Sequence, residues 1–161
     1  MSTAPPIKRH PALQPLSREH MSGLIQARNL VNAAAASPQS RRETLARFIE
    51  VWKTEIADHF DDEERLLGPL LSGESLQRLN DEHRELRTLA GAAVAQAAAT
   101  EPDPELLRRL GMLLNDHIRW EEREAFGEAE RAAAPHDLEA LQRHAAEIER
   151  VRPGSRPRLR L

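Results

Sequence analysis

No cysteine occurs in the 161 residues, which excludes disulfides, thiolate metal ligands and thiol nucleophiles together. Tyrosine is also absent, so tyrosyl-radical chemistry is ruled out, and aromatic residues make up only 3% of the chain. β-Branched residues are sparse while Ala, Leu, Glu and Arg abound, a balance that favours helix over strand. No run approaches the ~18 apolar residues of a membrane-spanning helix. The opening stretch, broken by Pro5, Pro6, Pro11 and Pro15, lacks the apolar segment of a secretory signal. A cytoplasmic location is the expectation.

The net charge of -3 hides an asymmetry, because five of the 23 basic residues (Arg150, Arg152, Arg156, Arg158 and Arg160) crowd the last twelve positions. Without them, 18 basic residues face 26 acidic ones. So acidic a body argues against a nucleic-acid-binding core, and residues 151–161 read as a basic, solvated, disordered tail. The length suits a single domain.

Hydrophobic periodicity predicts an all-α fold. Residues 1–16 read as an extended, proline-rich arm lying along the body through Ile7, Leu13 and Leu16, with His10 at the surface. Ser17 caps a first helix over about 17–36, carrying Met21, Leu24, Ala27, Leu30 and Val31. Ser40 and Glu43 form a capping-box pattern for a second helix over about 41–67, ended by Gly68-Pro69. The third spans about 73–99. Asp103-Pro104 opens a fourth, which continues to about 133. Short connections between neighbours imply an antiparallel up-down-up-down four-helix bundle over 17–134, followed by a short fifth helix over 135–150.

The polar residues on these stripes form a pattern. His59/Glu63 and His117/Glu121 are His-x-x-x-Glu pairs, a spacing that puts imidazole and carboxylate on one helical face. His20 and His83 stand alone, each one helix ahead of such a pair. Counted from the connecting turns at ~1.5 Å per residue, the four histidines fall within about 5 Å of one depth. Taken singly, each histidine is most simply a satisfied polar side chain. Together, in a Leu- and Ala-rich core, they carry a desolvation cost that pairing or a metal must offset.

Four imidazoles and two carboxylates without sulfur suit a redox-capable first-row metal, with iron first and zinc or manganese left open. Glu63 and Glu121 can each bridge two ions. With an oxo or hydroxo bridge, each of two irons is about five-coordinate and keeps room for O₂, NO or peroxide. Glu55, one turn before His59, and Glu82, beside His83, are candidates to orient a ligand imidazole or deliver protons, and either also reads as a solvated charge. His136 and His144 lack a partnering glutamate and are expected at the surface.

Residues His20, His59-Phe-Asp-Asp-Glu63, His83 and His117-Ile-Arg-Trp-Glu121, over roughly residues 16–130, resemble the hemerythrin-like (HHE cation-binding) family. The resemblance implies a four-helix bundle around a non-haem di-iron centre, with the four histidines as terminal ligands and Glu63 and Glu121 bridging. Where oxygen carriers of the family have a second histidine on the third helix, this chain has Leu79, so it is similar to the four-histidine subclass. Its implied role is to bind or sense O₂, NO or a related oxidant. The alternatives are a di-iron enzyme, reducing peroxide or NO or repairing iron centres after nitrosative or oxidative stress, and a non-redox iron- or cation-binding or interaction module. The protein partner is left open.

Overall fold

The computed structural model describes residues 7–157, which hold helices and loops and no strand. Helix α1 spans Gln14–Ala34. Helix α2 (38–66) consists of Pro38–Val51, a π-helical turn Trp52–Ile56 and Ala57–Leu66. Helix α3 is Gly73–Ala95. Helix α4 (104–132) runs through Pro104–Trp120, a second π-helical turn Glu121–Ala125 and Phe126–Ala132, and α5 is Pro135–Val151.

The helix starts follow from capping. Asp103 accepts from the Glu105 N–H with Pro104 behind it, as the sequence predicts. Helix α2 instead starts at Pro38, with Ser37 accepting from the Ser40 N–H, because proline fits the first helical position and needs no donor there. Ser17 is not a cap: α1 begins at Gln14, and the Ser17 hydroxyl donates to Glu122 Oε1 at 2.6 Å.

Two apolar clusters flank a polar layer. One, between the helices toward the α1–α2 turn, holds Leu30, Leu45, Phe48, Leu86, Leu107 and Leu110. The other, around Leu13, Leu16, Leu67 and Phe126, is closed by Leu141 and Ile148 of α5. Each such side chain contributes roughly 1.5–3 kcal/mol by leaving water.

Residue order reverses between α1 and α4. Gly23 faces Ile118 while Gly111 faces Ala27, so α1 descends along α4 as α4 rises. A Cβ on Gly111 would lie 2.6 Å from the Ala27 carbonyl oxygen and 2.8 Å from Val31 Cγ2. Gly111→Ala should therefore destabilise the protein by about 1–3 kcal/mol despite the ~1 kcal/mol that alanine adds to helix propensity. A Cβ on Gly23 meets only the movable Cδ1 of Ile118, so Gly23→Ala should be much milder. Thermal unfolding of the two metal-free variants checks this, and equal midpoints would mean that the α1–α4 spacing adjusts freely.

The flanking segments differ from expectation. Residues 11–13 form a 3₁₀ turn, Pro11–Leu13, with the Ala12 N–H donating to His10 Nδ1. Leu13 and Leu16 are buried, whereas Ile7 is exposed. Beyond α5, Pro153–Ser155 forms another 3₁₀ turn, and Arg152 and Ser155 are buried instead of solvated. The reason is pairing: Arg152 has two carboxylates to meet, Glu19 and Asp62. Pro5 and Pro6 of the proline-rich arm, and Arg158 and Arg160 of the tail, lie outside the described residues.

Candidate metal centre

Helix α1 supplies His20, α2 His59 and Glu63, α3 His83, and α4 His117 and Glu121. Glu63, His83, His117 and Glu121 are 0% exposed, and His20 and His59 are buried with them. The Nε2 atoms of His20 and His117 each lie 2.9 Å from a Glu121 oxygen. Glu63 touches His59 Nε2 and stands 3.4 Å from His20 Nε2 and 3.6 Å from His83 Nε2. The structure thus brings all six sequence-predicted inner residues into one layer.

The layer divides into two pockets. His20, His59, Glu63 and Glu121 form one set of four potential ligand atoms within 4.8 Å of one another; Glu63, His83, His117 and Glu121 form the other. Both carboxylates belong to both sets.

Outside this layer runs a closed ring of carboxylates. Each imidazole meets one through Nδ1: His59 with Glu19 of α1 at 3.2 Å, His83 with Glu64 of α2 at 2.8 Å, His117 with Glu82 of α3 at 3.2 Å, and His20 with Glu122 of α4 at 2.6 Å. Every helix supports the histidine of the next, and the last returns to the first. An ionised carboxylate only accepts, so Nδ1 carries the proton and, in the neutral ring, the Nε2 lone pair points inward. An arginine backs each carboxylate in turn: Arg152 on Glu19, Arg87 on Glu64, Arg78 on Glu82 and Arg9 on Glu122.

Charge in the layer is finely opposed. Burial disfavours the cationic form of all four imidazoles, but the surrounding carboxylates more than reverse this, holding His20 and His117 above their usual range, His59 at about 9 and His83 at about 11. Burial likewise pushes Glu63 and Glu121 up, and contact with the histidines brings both below the ordinary carboxylate range. The His83 hydrogen bond, aided by Arg87, holds Glu64 down at about 2.

Around the two pockets the walls differ. Phe60 stacks on His83, with centroids 3.9 Å apart and planes at 8°, and closes that side together with Leu79 and Trp120. Beside His20 and His59 lies a cavity of about 10 Å³, the room one water-sized molecule needs. Glu55, Gly23, Ile56, Leu114 and Ile118 help to line it.

Glu55 bonds no imidazole. Its Oε2 is buried without a hydrogen-bond partner, facing Gly154 of the segment after α5. Glu82 does orient a histidine, His117 across the helix interface, and not its chain neighbour His83. Glu19, Glu64, Glu122 and the four arginines were not legible as site residues. The available signal was adjacency, since each of these glutamates directly precedes or follows an inner residue. His136 is exposed and pairs with Asp137, and neither it nor His144 belongs to a candidate ligand set.

The residues fit metal ions on a structural criterion. Nε2 of His20 and His59 and all four oxygens of Glu63 and Glu121 are buried with no hydrogen-bond partner. Moreover, Nε2 of His83 and His117 face each other at 3.0 Å, a gap two N–H groups cannot share. Inward lone pairs of nitrogen and oxygen suit divalent first-row ions. Both π-helical turns abut this layer, one ending just before His59 and the other starting at Glu121, where the wider turn re-aims the side chains.

No curated protein and no solved structure matches the chain. The family model of the hemerythrin HHE cation binding domain matches residues 14–129, the span that supplies every inner ligand candidate. By that match, which covers well over half of its length, the chain belongs to the hemerythrin HHE cation-binding domain family.

Proposed function

We propose that this chain is a four-histidine, non-haem di-iron protein that binds or senses O₂, NO or a related small oxidant. The reading rests on two buried four-ligand pockets that share both carboxylates, with a molecule-sized cavity beside one of them. In this reading His20 and His59 would hold one ion and His83 and His117 the other, with Glu63 and Glu121, which belong to both ligand sets, serving both. Iron so bound would supply reversible electron donation to a small oxidant. The chain's own residues orient the ligands and exclude bulk water, Phe60 and Trp120 doing so on the His83 side. We also propose that the bundle is up-down-up-down and that the protein works in the cytoplasm. No helix among the described residues is long and apolar enough to cross a membrane.

The test is metal analysis of protein loaded anaerobically with iron(II), followed by rapid mixing with O₂, NO and peroxide. Two irons per chain, near-ultraviolet charge-transfer absorption after oxidation and reversible adducts are expected. Failure to take up iron while folded would overturn the di-iron reading. A second reading, an enzyme reducing peroxide or NO, is favoured by the unpartnered Glu55 oxygen at the cavity. Sustained consumption with an electron donor, lost in Glu55→Gln, would select it.

A further inference from the structure

The four outer arginines divide by origin. Arg78 and Arg87 belong to α3, inside the bundle, and their side chains are 47% and 37% exposed. Both back histidines of the same pocket, His117 and His83. Arg9 and Arg152 come from outside the bundle, one from the segment before α1 and the other from just after α5, and their side chains are only 7% and 9% exposed. Both back histidines of the other pocket, His20 and His59.

These two contacts are built deeply. Arg152 grips Glu19 through Nε at 2.8 Å and Nη2 at 3.0 Å, and its Nη2 also reaches Asp62 at 2.6 Å. The segment is tied down further: Ser155 Oγ donates to the Arg152 carbonyl at 2.7 Å, and Arg18 donates to the Ser155 carbonyl. Arg9 donates to the Glu122 carbonyl at 2.7 Å and to its carboxylate at 3.1 Å, and its guanidinium lies over the Phe126 ring. A buried fork on a carboxylate is worth more than an exposed pair, because water cannot replace the lost partner.

Resting on the two-metal reading above, we infer that Arg9 and Arg152 are positioning residues that tie retention of the His20/His59 ion to docking of the two flanking segments, while the His83/His117 ion depends on the bundle alone. The chain then holds one ion firmly and the other conditionally. Undocking either segment frees Glu19 or Glu122, loosens one imidazole and weakens one pocket selectively.

The test is anaerobic cobalt(II) titration of the full chain, read by visible absorption and by bound metal after gel filtration. Far-ultraviolet circular dichroism checks the fold. Wild type should bind two ions. Arg152→Gln and Arg9→Gln should each keep one at wild-type affinity and bind the second ~10–100-fold more weakly, the usual cost of losing a group that orients a ligand. Arg152→Lys should recover part of the loss. Arg87→Gln should weaken only the His83/His117 ion, and by less than the Arg9 and Arg152 variants weaken the other, since water reaches that pair, whereas Arg47→Gln, in an exposed pair away from the layer, should leave both ions at wild-type affinity. Combining Arg152→Gln with His83→Ala should abolish tight binding. Two ions at wild-type affinity in both glutamine variants, or equal weakening of both ions, would overturn the inference. A folded wild type that binds no cobalt would remove the two-metal reading and the inference with it.

Discussion

Glu121→Ala should hold at most one metal ion per chain where wild type holds two. The Glu121 oxygens serve both ligand sets and stand 2.9 Å from His20 on one side and from His117 on the other. Removing the carboxylate takes a donor from each ion and leaves two imidazoles, both held above their usual pKa, without their nearest counter-charge. Leaving buried charge uncompensated costs about 3–5 kcal/mol, so the metal-free variant should also melt lower by on the order of 10 °C. Glu63→Ala should behave alike. Full metal content in both variants, measured by mass spectrometry after loading, would take these two carboxylates out of the centre.

Metal uptake should release protons and steepen with pH. At pH 6, His20, His59 and His83 carry protons, and His83 and His117 share the one between their facing Nε2 atoms. Two divalent ions would displace about three protons, so the overall affinity should rise about 1,000-fold per pH unit near pH 6. Unbuffered titration with zinc(II), which avoids redox chemistry, reads the protons directly, and uptake without release would contradict the charge assignment.

The metal-free protein should show the opposite slope. A histidine whose folded pKa is raised adds stability that is complete below about 6.5 and is lost as pH rises through about 9 for His59 and about 11 for His83. Glu63 and Glu121, held low, contribute above about 4.5 and lose that contribution as pH falls through their depressed values. Resistance of the metal-free protein to denaturant should therefore be greatest between about pH 4.5 and 6.5.

The inner layer was legible because a ligand that must face the core obeys helical periodicity. His59 and Glu63, or His117 and Glu121, sit one turn apart and declare a shared face, and the short connections set the depth of the rest. The carboxylate ring obeys a different rule. A neighbour in sequence points about 100° away around a helix, so Glu82 leaves His83 and meets His117 on α4. Glu19 does the same toward His59. Which helix lies in that direction is tertiary information. Arg152 was illegible for a stronger reason, since an arginine among prolines reads as solvated until the carboxylates awaiting it are placed. The π-helical turns have no spacing of their own that the stripe around Trp52 or Glu121 reveals.

The ring of carboxylates also has a consequence for equivalence. Exchange α1 with α3 and α2 with α4, and each link of the ring falls on another: Glu19–His59 becomes Glu82–His117, and Glu64–His83 becomes Glu122–His20. The inner residues follow the same exchange, a lone histidine on a lone histidine and a His-x-x-x-Glu pair on its counterpart. The centre thus has the pattern of a twofold axis, and the residue types of its inner layer do not set one pocket apart from the other. The difference is imposed from the periphery, where Glu55 and a small cavity stand on one side and a stacked phenylalanine on the other. Individuality of the two pockets is therefore a property of the wrapping, and changes at Glu55, Phe60 or the flanking segments are where evolution or an engineer can retune one pocket without touching its inner residues.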